Sequence, residues 1–148
     1  MHHTKPKILF LCTGNSCRSQ MAEGWGRHLY PDQYEFFSAG IEKHGLNPLA
    51  VEVMAEAGVD ISVQYAKLLS ELETAAFDYV ITVCDHANEQ CPIFAGKAIR
   101  LHQEFPDPPR LAQTAASEEE ALGHYRAVRD AIQAYLISLP TALATTRA

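Results

Sequence analysis

The sequence predicts an α/β fold: a single three-layer domain whose four-stranded parallel sheet carries helices on both faces, with an anion-binding loop after the first strand. Three observations carry that expectation. Short apolar runs alternate with helical segments, an order that builds a parallel sheet through crossover helices. Caps and breakers (Pro31, Gly40, Pro48, Gly58, Pro140) punctuate the segments where such elements would end. The chain has 148 residues, enough for one such core and too few for two, so residues 1–148 read as one domain.

The elements follow in order. Lys7–Leu11 is a continuous apolar strand, as a fully covered strand must be. Arg18–Tyr30 reads as a helix ended by Pro31. Tyr34–Ser38 has strand alternation and aromatic content, and Gly40 closes it. Asn47 caps a helix that starts on Pro48, runs to about Ala57 and stops at Gly58. Asp78–Cys84 is a buried strand and Ala98–Leu101 a shorter one. Ser117-Glu-Glu-Glu120 opens a last helix, expected to reach about Leu139 before Pro140, with a disordered tail over about 141–148. In parallel sheets ligands sit beyond the carboxyl ends of the strands. Cys12 ends the first strand, Cys84 ends the third and Asp107 follows the fourth, so one rim gathers all three.

Composition excludes several functions. Hydrophobic content of 47% and charged content of 20% are those of a soluble globular protein. A net charge of −6 without a basic cluster argues against nucleic acid or an anionic membrane surface as partner. An anionic ligand must therefore be attracted locally. There is no signal peptide and no apolar stretch near the ~20 residues of a membrane span, so the expected location is cytoplasmic. Four cysteines in such a chain read as reduced, metal-binding or catalytic rather than as a structural framework. Cys12 and Cys17 are five apart and Cys84 and Cys91 seven apart, spacings that do not suit a zinc site, and no metal is expected.

The chemistry concentrates in Cys12-Thr-Gly-Asn-Ser-Cys-Arg-Ser19, set between the first strand and the first helix. Thr13, Gly14, Asn15, Ser16 and Cys17 can wrap so that their amides point inward and cradle a tetrahedral oxyanion at a helix N-terminus. Arg18 adds a planar fork of donors for two oxygens. The same positive field favours a thiolate at Cys12, to which Ser19 can donate a hydrogen bond. Asn15 suits the left-handed backbone that a tight loop demands. Cys17 reads as a packed thiol, and His28, His44, His86, His102 and His124 as structural or surface residues, because they lack ligand spacing.

This loop, with Gln20-Met-Ala-Glu-Gly24 after it, resembles the active-site loop of thioredoxin-coupled arsenate reductases, which share the fold of low-molecular-weight protein tyrosine phosphatases. The resemblance continues through Ser38-Ala-Gly-Ile-Glu42, His44-Gly-Leu-Asn-Pro48, Gly58-Val-Asp-Ile-Ser62, Asp107-Pro108 and Tyr125-Arg-Ala-Val-Arg-Asp130. It implies Cys12 as nucleophile, Arg18 as oxyanion clamp and Asp107, held between prolines, as general acid. The Cys84/Cys91 pair favours the reductase branch, since a phosphatase needs one thiolate and water whereas a reductase must supply two electrons. Cys84 would attack the Cys12–arsenic adduct and expel arsenite, and Cys91 would then attack Cys84. That leaves an 84–91 disulfide for thioredoxin as electron donor, with no bound cofactor. If residues 85–90 are helical, seven residues rise roughly 10 Å, beyond the ~7 Å reach of a disulfide, so closing the bond unwinds the segment. Expected ligands are arsenate, with phosphate or sulfate as analogues. Relatives can also hold a potassium ion through positions matching Asn15, Glu23, Ser38 and a carboxylate. Lys67 stands at the last position, where its ammonium can serve as an internal counter-charge for Glu23, and no potassium is expected. The competing readings are a phosphatase on the same loop and a non-enzymatic thiol redox sensor that would need only Cys84 and Cys91.

Overall fold

The computed structural model describes residues 5–72, 76–85 and 96–147. Its sheet contains β1 (Lys7–Cys12), β2 (Glu35–Gly40), β3 (Tyr79–Thr82) and β4 (Ile99–His102), all parallel, in the order β2-β1-β3-β4. β1 is central, which is why Lys7-Ile-Leu-Phe-Leu-Cys12 is apolar on both faces. Ile8, Phe10 and Cys12 join one buried cluster, and Leu9 and Leu11 join another on the opposite face. β4 is the outer strand and is mostly exposed, with Arg100 and His102 blunting an otherwise open edge.

Four helices follow from the sequence signals: α1 (Arg18–Leu29), α2 (Pro48–Glu56), α3 (Pro108–Ala112) and α4 (Glu118–Arg147). The first cluster unites Ile8 and Phe10 of the sheet with Met21 and Trp25 of α1, Val53 and Met54 of α2, and Val128, Ile132 and Leu136 of α4. On the opposite face a short 3-10 turn, Leu69–Leu72, contributes Leu69 and Leu72 beside Phe77. Asn47 caps α2 as its sequence predicts, its side-chain oxygen accepting from Leu49 N at 2.8 Å and Ala50 N at 3.4 Å. Between α2 and α4, Arg126 clasps Glu56 through two bonds of 2.9 and 2.8 Å, while Arg129 reaches Glu56 at 3.0 Å.

Two expectations are corrected. α3 is a helix where the sequence suggested only a rigid turn; Asp107 occupies its N-cap position and Pro108 its first turn, a place that costs no hydrogen bond. α4 does not stop at Leu139: it runs through Pro140 to Arg147, and the segment expected as a disordered tail is helical over 141–147. Proline at position 140 removes the bond that would have reached the Leu136 carbonyl. The Tyr30 hydroxyl donates to that carbonyl at 2.7 Å, and to Ile137 O at 3.1 Å, so the freed acceptor is served from α1's C-terminal end. Burial of Leu139 and Leu143 then holds the last turns on the core. No helix among the described residues is long and apolar enough to cross a membrane.

Candidate active site

Residues 13–17 bridge the end of β1 and the start of α1, and their four leading carbonyls all turn outward. Thr13 O accepts from Ile41 N and Glu42 N at 3.0 and 2.9 Å, Gly14 O from His44 N at 3.1 Å, and Ser16 O from Asn47 N at 2.9 Å. Asn15 O accepts from the Gln20 side chain at 3.0 Å. In a trans peptide the N–H opposes the C=O, so amides 14–17 are directed to the other side, the concave one. Asn15 makes this possible with a positive φ of 50°, the only such non-glycine among the described residues.

The side chain of Asn15 is buried and its orientation is fixed by a backbone donor. Lys67 N–H donates to Asn15 Oδ1 at 2.7 Å, so the amide nitrogen faces Ser19 and donates to its Oγ at 2.8 Å. The Ser19 hydroxyl, with one lone pair taken, has its proton available for Cys12 Sγ, 2.9 Å away. Gln20 Nε2 also reaches Tyr65 O at 2.9 Å, and Gln64 returns a bond of 2.8 Å to Gln20 Oε1. Together these bonds tie the loop to segment 64–67.

A cavity of about 160 Å³ lies over the loop, lined by Cys12, Thr13, Gly14, Ser16, Cys17, Arg18, His44, Asp107 and Pro109. Arg18 is buried; one guanidinium nitrogen donates to Phe105 O at 3.1 Å and another stands 3.6 Å from the Asp107 carboxylate. These contacts come from the segment after β4 and bring Asp107 to the Cys12 rim. Cys12 and Cys17 are free thiols. Burial, and next the Asp107 charge, push the Cys17 thiol well above its ordinary value against the pull of Arg18. It therefore stays protonated, in keeping with a packed thiol.

Cys84 is fully buried and disulfide-bonded. The strand expected over Asp78–Cys84 is shorter, Tyr79–Thr82; Leu11 pairs with Thr82 and Val83 N donates to Leu11 O at 3.0 Å, so Cys84 follows two residues past the end of β3, just beyond the level of Cys12. Adjacent strands lie about 4.8 Å apart. Cys91 and His86, and the segment expected to unwind beyond Asp85, lie outside the described residues.

Glu23, Ser38 and Lys67 do meet. Ser38 Oγ donates to Glu23 Oε1 at 2.5 Å, Arg27 pairs with Oε2 at 2.7 Å, and Lys67 Nζ stands 3.8 Å from Oε1. The Lys67 ammonium also donates to Tyr65 O at 2.7 Å and lies 4.5 Å from the centre of the Tyr65 ring. Asn15 joins this group through the Lys67 backbone N–H. Burial pushes the Lys67 ammonium below its ordinary value, while Glu23 pulls it back up. With that ammonium beside Glu23, the residues do not fit a potassium ion. Sequence reasoning gave His44 and Pro109 no part in the site. The one available signal is position: both follow the carboxyl ends of strands, on the rim that binds ligands.

Residues 7–148 match the model of the family described as low molecular weight phosphotyrosine protein phosphatase. The chain belongs to this family. Within it, the chain is 46% identical over 128 residues to an arsenate reductase of Halalkalibacterium halodurans, covering 86% of this chain and 90% of that one. Its fold superposes on an arsenate reductase in the phosphate binding state with a TM-score of 0.74 at 28% identity, covering 90% of this chain and 95% of the other. A thioredoxin-dependent arsenate reductase of Corynebacterium glutamicum aligns with a TM-score of 0.70 at 25% identity, over 99% of this chain and 65% of that one.

Proposed function

We propose that this chain reduces arsenate to arsenite in the cytoplasm, with electrons from thioredoxin. The observation that carries the reading is a cysteine lining an anion-sized cavity, with a second cysteine two residues past the end of the neighbouring strand β3. The names of the similar proteins agree with it.

Each residue has its own part in the reaction. The Cys12 thiolate attacks arsenic(V), and one arsenate oxygen leaves as water with a proton supplied by Asp107. The loop amides 14–17 and Arg18 hold the remaining oxygens. Once reduction has opened the disulfide that Cys84 holds in this structure, the Cys84 thiolate attacks the Cys12 sulfur; the sulfur–arsenic electron pair stays on arsenic, which departs as arsenite, and a 12–84 disulfide forms. The Cys91 thiolate then displaces Cys12 from Cys84, leaving an 84–91 disulfide that the dithiol of thioredoxin reduces. Two electrons thus pass from thioredoxin to arsenic without a bound cofactor.

The test is NADPH oxidation that requires arsenate, thioredoxin and thioredoxin reductase, run beside aryl phosphate hydrolysis. A phosphatase would show only the second activity, and a redox sensor would cycle its disulfide without arsenate. Cys91→Ser should give one turnover and a 12–84 disulfide visible by mass spectrometry. Sustained turnover of that variant would exclude the relay.

A further inference from the structure

We propose that His44 is a specificity-determining wall of the oxyanion cavity, and that it admits free tetrahedral oxyanions while turning away aryl phosphate esters. The inference deepens the arsenate-reducing reading and rests on it for the identity of the preferred substrate. Three segments enclose the cavity: the loop of Cys12–Arg18 forms the floor, His44 enters from the connection between β2 and α2, and Asp107 and Pro109 enter from the start of α3. Its volume of about 160 Å³ holds an oxyanion with a few waters, each taking about 30 Å³. Pockets that bury organic ligands start near ~300 Å³. An ester whose phosphorus sat over Cys12 would have to thread its ring out past His44 or Pro109.

The imidazole is held in place by three separate contacts. Its backbone N–H donates to Gly14 O at 3.1 Å, which fastens residue 44 to the loop itself. Its ring lies so close to Gly14 that a Cβ built there would sit 2.2 Å from Nδ1. Glycine at position 14 is therefore the seat of the ring, and any larger residue would push the wall away. On the far side of the ring, Nε2 is 2.6 Å from Glu42 Oε2, which fixes the ring's rotation. Glu42 itself does not line the cavity, and its carboxylate and about half of the imidazole are open to solvent, so the ring meets the cavity with its other side.

The experiment compares wild type with His44→Ala and His44→Phe. Each is measured for inorganic phosphate binding by calorimetry, for kcat/KM on p-nitrophenyl phosphate, and for thioredoxin-coupled arsenate reduction. His44→Ala should raise kcat/KM for the aryl ester about tenfold, equivalent to roughly 1.4 kcal/mol, while phosphate affinity changes less than about threefold. His44→Phe, which keeps the bulk of the wall, should leave the ester as poor a substrate as in wild type. An unchanged ratio of ester to phosphate in His44→Ala overturns the proposal. So does loss of phosphate binding in both variants, since the ring would then be part of the cradle and not a wall. The parent reading fails separately: a wild type without arsenate reduction, whose variants still show the expected ester pattern, removes the reductase and keeps the wall.

Discussion

Around Cys12–Ser19 most polar side chains are buried and locked to one another and to backbone partners, whereas Glu56, Glu119, Arg126 and Arg129 join α2 to α4 through charges that water still reaches, Glu119 most of all. Asn15, Ser19 and Gln20 are fully buried, and a missing partner there leaves a desolvated group. The α2–α4 charges lose little when unpaired because water replaces the partner. The first network holds a shape needed for chemistry; the second only fastens two helices whose apolar faces already pack. Substitutions should therefore divide sharply between the two.

The largest effect belongs to the residue that the buried network exists to present. Cys12→Ser should lower arsenate-dependent NADPH oxidation by roughly a hundredfold or more, because a hydroxyl is a far weaker nucleophile than a thiolate, while the melting temperature stays close to wild type. Activity above a few per cent would move the nucleophile elsewhere.

Asn15→Ala tests the network directly. It places an alanine at φ 50°, costing about 1–2 kcal/mol. It also strands the Lys67 N–H, for a further ~1–3 kcal/mol. Denaturant midpoints should show a combined loss of about 2–5 kcal/mol, and Asn15→Gly, free of the backbone strain, should recover the first part. Equal losses in the two variants would mean the left-handed conformation is not what asparagine contributes.

Lys67 belongs to the buried network but, unlike its other members' amides and hydroxyls, carries a charge, set beside Glu23. We expect potassium and sodium at equal ionic strength to leave wild-type activity and melting temperature alike, and Lys67→Asp to make both depend on potassium. A clear potassium effect on wild type would remove the ammonium from its counter-charge role.

Glu56→Gln should have the smallest effect and shows its origin by pH. Hydrogen bonding to Arg126 holds the Glu56 carboxyl below its ordinary 4.5. A depressed carboxyl contributes stability above its unfolded value and loses it as pH falls through the lower folded one. The variant should thus melt slightly below wild type at neutral pH and converge with it in acid. A gap that persists in acid would point to packing in place of charge.

Much of this arrangement is legible in the residues. The strand Lys7–Leu11, the Asn47 cap and the Gly58 stop, φ 83°, each rest on a local preference that the fold keeps. Periodicity and the strand-end rule together gather Cys12, Asp107 and the segment after β3 that carries Cys84 on one rim. What escaped is non-local. No signal at Pro140 announces that a tyrosine more than a hundred residues earlier will serve the freed carbonyl. No spacing marks His44, because its place depends on Gly14 yielding room for a ring from another segment. The bracing by Lys67 is likewise a backbone matter: Lys67 steadies Asn15 through its main chain, which side-chain identity does not encode.

The outward anchoring of carbonyls 13–16 has an electrostatic counterpart. Four converging peptide dipoles and a buried guanidinium face one small space with their positive ends, and the acid Asp107 lies at its edge. Like ends held side by side repel, and the repulsion persists in the folded chain until an anion enters. The unfolded chain has no such concavity, so a tetrahedral anion binds only the native state and acts as a folding ligand, contributing about 2.7 kcal/mol at a hundred times its dissociation constant. Substrate and fold are linked through the same four peptides: the protein is most secure when oxyanion is abundant and its chemistry is in use.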